Sequence, residues 1–166
     1  MTRPNDGPHA NLAPFVLDTD VLTDGWVVSP FTLDDRFSDR WWQGSLRGPA
    51  SWLSFFEGAD EVARAKVKVN SLLGAAYPTW TVPSAGATEI DLLEVREGRR
   101  GRGIGEQVVA DIVDRFPPPY VAMSLDETSN GFWRRLGWLE HSHEDDDGHR
   151  QLFTWTPGPD ISHGAS

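Results

Sequence analysis

Residues 89–109 read EIDLLEVREGRRGRGIGEQVV, and this stretch decides how the rest of the chain is read. Its first part is an apolar strand pattern. It runs into a turn carrying Gly101, Gly103 and Gly105, and the turn opens an amphipathic helix. In that helix Val108, Val109, Ile112, Val113 and Phe116 recur at helical spacing, with Glu106, Gln107, Asp111 and Asp114 on the other faces. Glycines let a backbone approach a ligand closely, and the first N–H groups of a helix have no partner within it. Together with the helix dipole, those amides form an anion site. Arg96, Arg99, Arg100 and Arg102 crowd the same turn. A pyrophosphate is the natural guest.

Working outward, SWLSFFEG and EVARAKVKV read as strands, the second with partial period-2 alternation, joined by a hairpin turn at Gly58-Ala59-Asp60. Residues 74–88 carry two Pro and two Gly and read as a loop. After the helix, Pro117-Pro118-Pro119 is a stop. YVAMSLD is a strand. TSNGFWRRLG is a short helix starting near Thr128 or Ser129 and ending at Gly137, and WLEHSHE and HRQLFTW flank a hairpin tip, EDDDG. Upstream, FVLDTD and GWVVSPF are short strands and LDDRFSDRWWQ is a helix capped near Thr32 or Asp34. The order is that of an α/β sheet with mixed connections. Residues 1–13 and 157–166 read as tails, leaving one domain over 14–156.

Composition narrows the function. The chain has 166 residues, 39% hydrophobic, with eight Trp and eight Phe, enough for a sizeable core. There is no Cys, which excludes disulfides, thiol nucleophiles and Cys-ligated zinc. The net charge of −10 argues against a nucleic-acid partner, since phosphate binding rests on clustered Lys and Arg. No apolar run reaches the roughly 18–20 residues of a membrane span, and the N-terminus lacks a signal-peptide core, so a cytoplasmic protein with no membrane partner is expected. His141, His143 and His149 beside Glu144–Asp147 resemble a metal cluster, but an acidic hairpin tip without a known ligand spacing explains them, and no metal is expected.

Two familiar phosphate loops fail on this sequence. No Lys-Ser or Lys-Thr follows the last glycine, and the glycines space as G-x-G-x-G, not G-x-G-x-x-G. Arg100-Gly101-Arg102-Gly103-Ile104-Gly105 instead resembles the acyl-CoA signature of the GNAT superfamily of N-acetyltransferases. The surrounding order of strand, signature, helix, strand and short helix with Phe132-Trp133 and Gly137-Trp138 resembles that family over residues 51–156.

The resemblance implies a GNAT fold, a mixed central sheet with splayed strands and flanking helices, and an N-acetyltransferase using acetyl-CoA as co-substrate and an amine of a small molecule or peptide as acceptor. It implies that the backbone of Leu93 and Val95 bonds the pantetheine arm and that Arg100, Gly101, Arg102, Gly103, Ile104 and Gly105 wrap the pyrophosphate, with Arg99 or Arg102 reaching the 3′-phosphate. Glu89 stands where some members carry a general base. Asp91, two residues on, shares its strand face, and two adjacent carboxylates would raise one pKa. Family habit implies a homodimer, and RNA-directed acetylation is disfavoured by the charge. The sequence also departs from the family. Trp133 replaces the Tyr that protonates the thiolate, and indole is no acid near neutrality. Asp126 replaces a helical Asn, for which Asn130 is a candidate stand-in. In that helix Phe132 is expected in the core and Trp133 toward the thioester. Trp41, Trp42 and Trp52, or Tyr77 and Trp80, are candidates for an acceptor wall. The alternative is a weak or inactive GNAT-like module that binds acyl-CoA or a partner protein.

Overall fold

The computed structural model describes residues 12–17, 29–41, 49–145 and 148–158. Seven strands form one mixed sheet. They are β1 (Leu12–Leu17), β2 (Ser51–Glu57), β3 (Asp60–Ser71), β4 (Ala87–Val95), β5 (Tyr120–Met123), β6 (Leu139–His141) and β7 (Leu152–Trp155), in spatial order β1-β2-β3-β4-β5-β7-β6. Two α-helices, α1 (Ile104–Arg115) and α2 (Glu127–Arg135), follow β4 and β5. The strand β1 takes in Leu12 and Ala13, which the sequence reading left in the N-terminal tail. By packing the chain divides into two compact units, Met1–Lys66 with Leu92–Val109, and Val67–Asp91 with Ala110–Ser166.

In the first unit, β1 pairs antiparallel with β2 from Leu12↔Glu57 to Leu17↔Trp52. Phe31, Phe37, Trp41 and Trp52 form its core, with Leu17, Ala50 and Leu92 packed against them. Sequence reading expected a helix over LDDRFSDRWWQ. The described part is instead a turn at Asp34–Phe37 and a 3-10 turn at Asp39–Trp41. The physical reason is local capture. Asp34 accepts from the Arg36 backbone N–H (3.0 Å) and guanidinium (2.8 Å), which holds its carboxyl down at about 2 and competes with helical pairing. Glu94 then takes Ser38 N–H (2.9 Å), Ser38 Oγ (2.6 Å) and Trp41 Nε1 (2.7 Å), fastening the segment to β4. Of the expected strand GWVVSPF, residues 29–31 are not strand and the rest lies outside the described residues.

The strand β3 is buried over Val62–Val67 on both faces, so alternation is hidden there. Its two cations in this stretch are sheathed by rings. The Arg64 guanidinium lies 4.7 Å from the Phe31 centroid and 4.1 Å from that of Phe37, and the Lys66 ammonium lies 5.2 Å from Trp52. Such contacts offset part of the cost of removing a cation from water.

In the second unit, β4 and β5 pair in parallel as Thr88↔Tyr120, Glu89↔Val121 and Ile90↔Ala122, while β5 pairs antiparallel with β7, and β7 with β6. Tyr120 donates its hydroxyl to the carbonyls of Val113 (2.8 Å) and Phe116 (2.6 Å), satisfying the C-terminal end of α1. α2 is capped by Asp126, which accepts from Ser129 N–H (2.8 Å), two or three residues earlier than the expected start. Gly137, with φ of 77°, ends the turn that follows α2 as expected.

His141 is buried in this unit, with Thr79 Oγ1 2.8 Å from Nδ1 and Thr154 Oγ1 2.8 Å from Nε2. Burial lowers its pKa from the ordinary histidine value. The unfolded chain therefore takes the proton first, so stability is full above about pH 6.5 and falls as the pH drops from there toward the folded-state pKa. The urea midpoint of the wild type is expected to fall between pH 7.5 and 5.5, and to fall less in His141→Gln. Equal slopes in the two proteins would remove His141 as the cause.

Candidate active site

β4 is the element that carries the candidate site. Its parallel pairing with β5 ends at Ile90↔Ala122, yet the strand continues to Val95. Leu93 and Val95 fall in this continuation, past the last paired residue. Arg96, at the end of the strand, is held by its N–H to the Val62 carbonyl (2.9 Å). The turn that follows closes with Arg99 N–H on the Arg96 carbonyl (3.0 Å) and reaches α1 through Gly101 and Gly103, both near φ of +75°. Gly103 lacks neighbours that a Cβ would strike, so the positive φ is what requires glycine there. Ile104 is buried and anchors the helix start. The first intrahelical bond at this end is Gln107 N–H to the Gly103 carbonyl (3.1 Å). The amides of Ile104, Gly105 and Glu106 precede it and point out of the helix end.

The four arginines of the turn separate into different roles. Arg96 is buried, its guanidinium 3.8 Å from Asp60. Arg99 is paired with Glu57 and with Asp60 (2.7 Å) on the β2–β3 hairpin, so it is committed away from a 3′-phosphate. Arg100 donates Nε to the Val95 carbonyl (3.0 Å) and sits 3.7 Å from Glu94. Arg102 is exposed and makes no hydrogen bond or ion pair among the described residues. The cluster read from sequence as one anion site is thus mostly used internally.

Glu89 and Asp91 are part of the second unit. Glu89 is buried and accepts Ser71 Oγ–H at 2.6 Å. The Lys68 ammonium lies 3.7 Å from Glu89 and 3.0 Å from Asp91. Sequence reading set the two carboxylates against each other, whereas the structure places a cation by both. Lys68 and Ser71 were not picked out from sequence. The alternation KVKVNS around them gives no sign that one lysine reaches two acids on the next strand.

The aromatic expectations change more. Trp133 is buried, 4.6 Å from Trp138 and 6.4 Å from Phe153 between ring centroids, while Phe132 is half-buried. The expected assignment is therefore reversed, because Trp138 and Phe153 supply the partners for the larger ring. Trp41 and Trp52 are fully buried core residues and cannot form a stacking wall, and Trp42 lies outside the described residues. Tyr77 is buried and donates to the Arg150 carbonyl (2.6 Å), and burial raises its pKa. It borders a cavity of about 630 Å³ together with Leu72, Leu73, Met123, His143 and His149, while Trp80 is half-buried beside Leu73. Asn130 is buried, with Nδ2 on Glu127 (2.7 Å) and Oδ1 without a partner among the described residues.

No family model and no curated protein sequence matches the chain. Solved structures do. A chain of the KacTA–DNA complex is similar with a TM-score of 0.55 at 14% identity, over 87% of this chain and 92% of that one. A tyrosine-to-phenylalanine mutant of KacT matches with 0.52 at 14%, over 64% and 70%. An acetyltransferase from Thermus thermophilus matches with 0.51 at 17% identity, over 64% of this chain and 63% of the Thermus chain, so less than two thirds of that relative is spanned. With the strand order, the early end of β4–β5 pairing and the glycine turn into α1, these likenesses establish that the chain has the fold of the GNAT acetyltransferases.

Proposed function

We propose that the chain is an acetyl-CoA-dependent N-acetyltransferase acting on an amine of a small molecule or peptide. The observation that carries the reading is the run of β4 past its partner strand into a glycine turn and the open amide end of α1. The likeness to acetyltransferases of the same fold supports it. In this reading the amides around Arg100–Gly105 hold the pyrophosphate, Arg102 is the arginine left for the 3′-phosphate, and the backbone of Leu93 and Val95 meets the pantetheine arm. Glu89 takes the proton of the attacking amine, with Asp91 beside it. The new N–C bond forms as the C–S bond of the thioester breaks. Both tyrosine hydroxyls are already given to backbone carbonyls, and Trp133 is in the core, so water protonates the departing thiolate.

The chain has no membrane-crossing helix among the described residues, and its acidic balance suits a cationic amine. Titration of acetyl-CoA by calorimetry tests the cofactor loop. Gly103→Glu introduces a side chain at positive φ and a negative charge at the helix end, and is expected to weaken binding by about tenfold or more. Equal affinity in both proteins would take the loop out of the site. Saturable binding with no turnover on any amine would instead favour a binding module.

A further inference from the structure

The β6–β7 connection has a feature that acyl transfer does not use. His143, Asp145 and His149 each offer one ligand atom, and these atoms all lie within 4.8 Å of one another. In sequence they are two and four residues apart, which matches no common ligand motif. The return of the chain toward β7 brings them together. We propose that these three side chains form a site for a divalent transition-metal ion of the zinc type.

Two imidazole nitrogens and one carboxylate oxygen are a donor set that zinc accepts, and three protein ligands leave a fourth position for water. His143 Nδ1 accepts the Asp145 backbone N–H at 3.0 Å, and a metal ion on this ring takes the place of that hydrogen bond. The His143 ring stands on fixed ground. It meets Tyr77 edge-on at 5.3 Å, and the next residue, Glu144, donates its N–H to the Ala76 carbonyl at 3.0 Å. The His149 ring lies 3.7 Å from the His143 ring at 15°. Asp145 and His149 are exposed, so the His149 ring can turn out of its stack on His143 and bring the donors to the ligand spacing of about 3.4 Å that tetrahedral zinc requires. The sequence neighbours Glu144, Asp146 and Asp147 add negative charge that draws a cation. His141, grouped with the other two on sequence, is buried between Thr79 and Thr154 and takes no part. An ion here would pin the β6–β7 connection at the rim of the 630 Å³ cavity.

The test is calorimetric titration of ZnCl2 into the full chain, freed of any tag and dialysed against chelator, beside His149→Ala and Asp145→Asn. One ion per chain is expected in the wild type, with affinity weakened at least about tenfold in each variant. Zinc at a hundredfold excess over the wild-type Kd should also raise the wild-type Tm by about 5 °C and that of His149→Ala by about half as much or less. No saturable heat in the wild type overturns the proposal. So does equal affinity in the variants, or a response to Ca²⁺ as large as that to Zn²⁺, which would assign binding to carboxylates alone. Acetyl-CoA affinity should be the same in all three proteins, so the result stands apart from the catalytic reading.

Discussion

Replacing Glu89 by Gln is expected to lower turnover of acetyl-CoA with an amine by about a hundredfold or more, while acetyl-CoA affinity stays within about twofold. Gln keeps the shape and can still accept from Ser71 Oγ, so the packing around residue 89 survives. What is lost is the proton acceptor. An ammonium ion has no lone pair to attack with, and the rate then depends on the small fraction of free amine or on water as base. The pH–rate profile separates these cases. In the wild type the acidic limb reports protonation of the base. In Glu89→Gln that limb should disappear. An unchanged limb would assign the role to Asp91, which lies closer to Lys68 at 3.0 Å.

Trp133→Ala is expected to cost about 3–5 kcal/mol of folding free energy, read as a fall in urea midpoint. That is a large part of the roughly 5–15 kcal/mol that holds a domain of this kind together. The indole touches Phe132, Trp138 and Phe153, and its removal leaves a cavity that short elements such as β6 and β7 cannot close. Trp133→Tyr should be milder, yet it should not raise turnover. A hydroxyl placed there would enter the core and lack a thiolate to protonate. A gain in turnover in that variant would show that residue 133 does face the thioester after all.

How much was legible in the sequence follows from the range over which each feature is decided. The β4–turn–α1 segment was readable because its signals are local: a 3.6-residue apolar period, glycines at positive φ, and a proline stop after the helix. The stop at Gly137 and the β2–β3 hairpin were readable for the same reason. The burial of Arg64 and Lys66 was not. On sequence they alternate with Val and Ala like the wet face of an edge strand, yet Phe31, Phe37 and Trp52, distant in sequence, lie over them. The missing helix near residue 37 is a similar case, since Glu94 removes Ser38 and Trp41 from it across more than 50 positions. Of adjacent Phe132 and Trp133, helical geometry says that the two diverge. Which one turns inward was set by Trp138 and Phe153. In the candidate site, Glu89 and Asp91 were found by spacing, whereas Lys68 and Ser71 needed the register of the neighbouring strand.

The packing of Trp133 on Trp138, with ring centres 4.6 Å apart and planes tilted by 46°, has an optical consequence. Two indoles that close share their electronic excitations, and a tilted pair rotates polarised light as a unit, giving adjoining bands of opposite sign that neither ring produces alone. The pair exists only while the turn through Gly137 holds Trp138 back against α2, since the Trp138 N–H bonds the Trp133 carbonyl at 3.2 Å. The chain thus carries its own dichroic signal for the α2–β6 corner, which vanishes when the corner opens even if the helix itself persists.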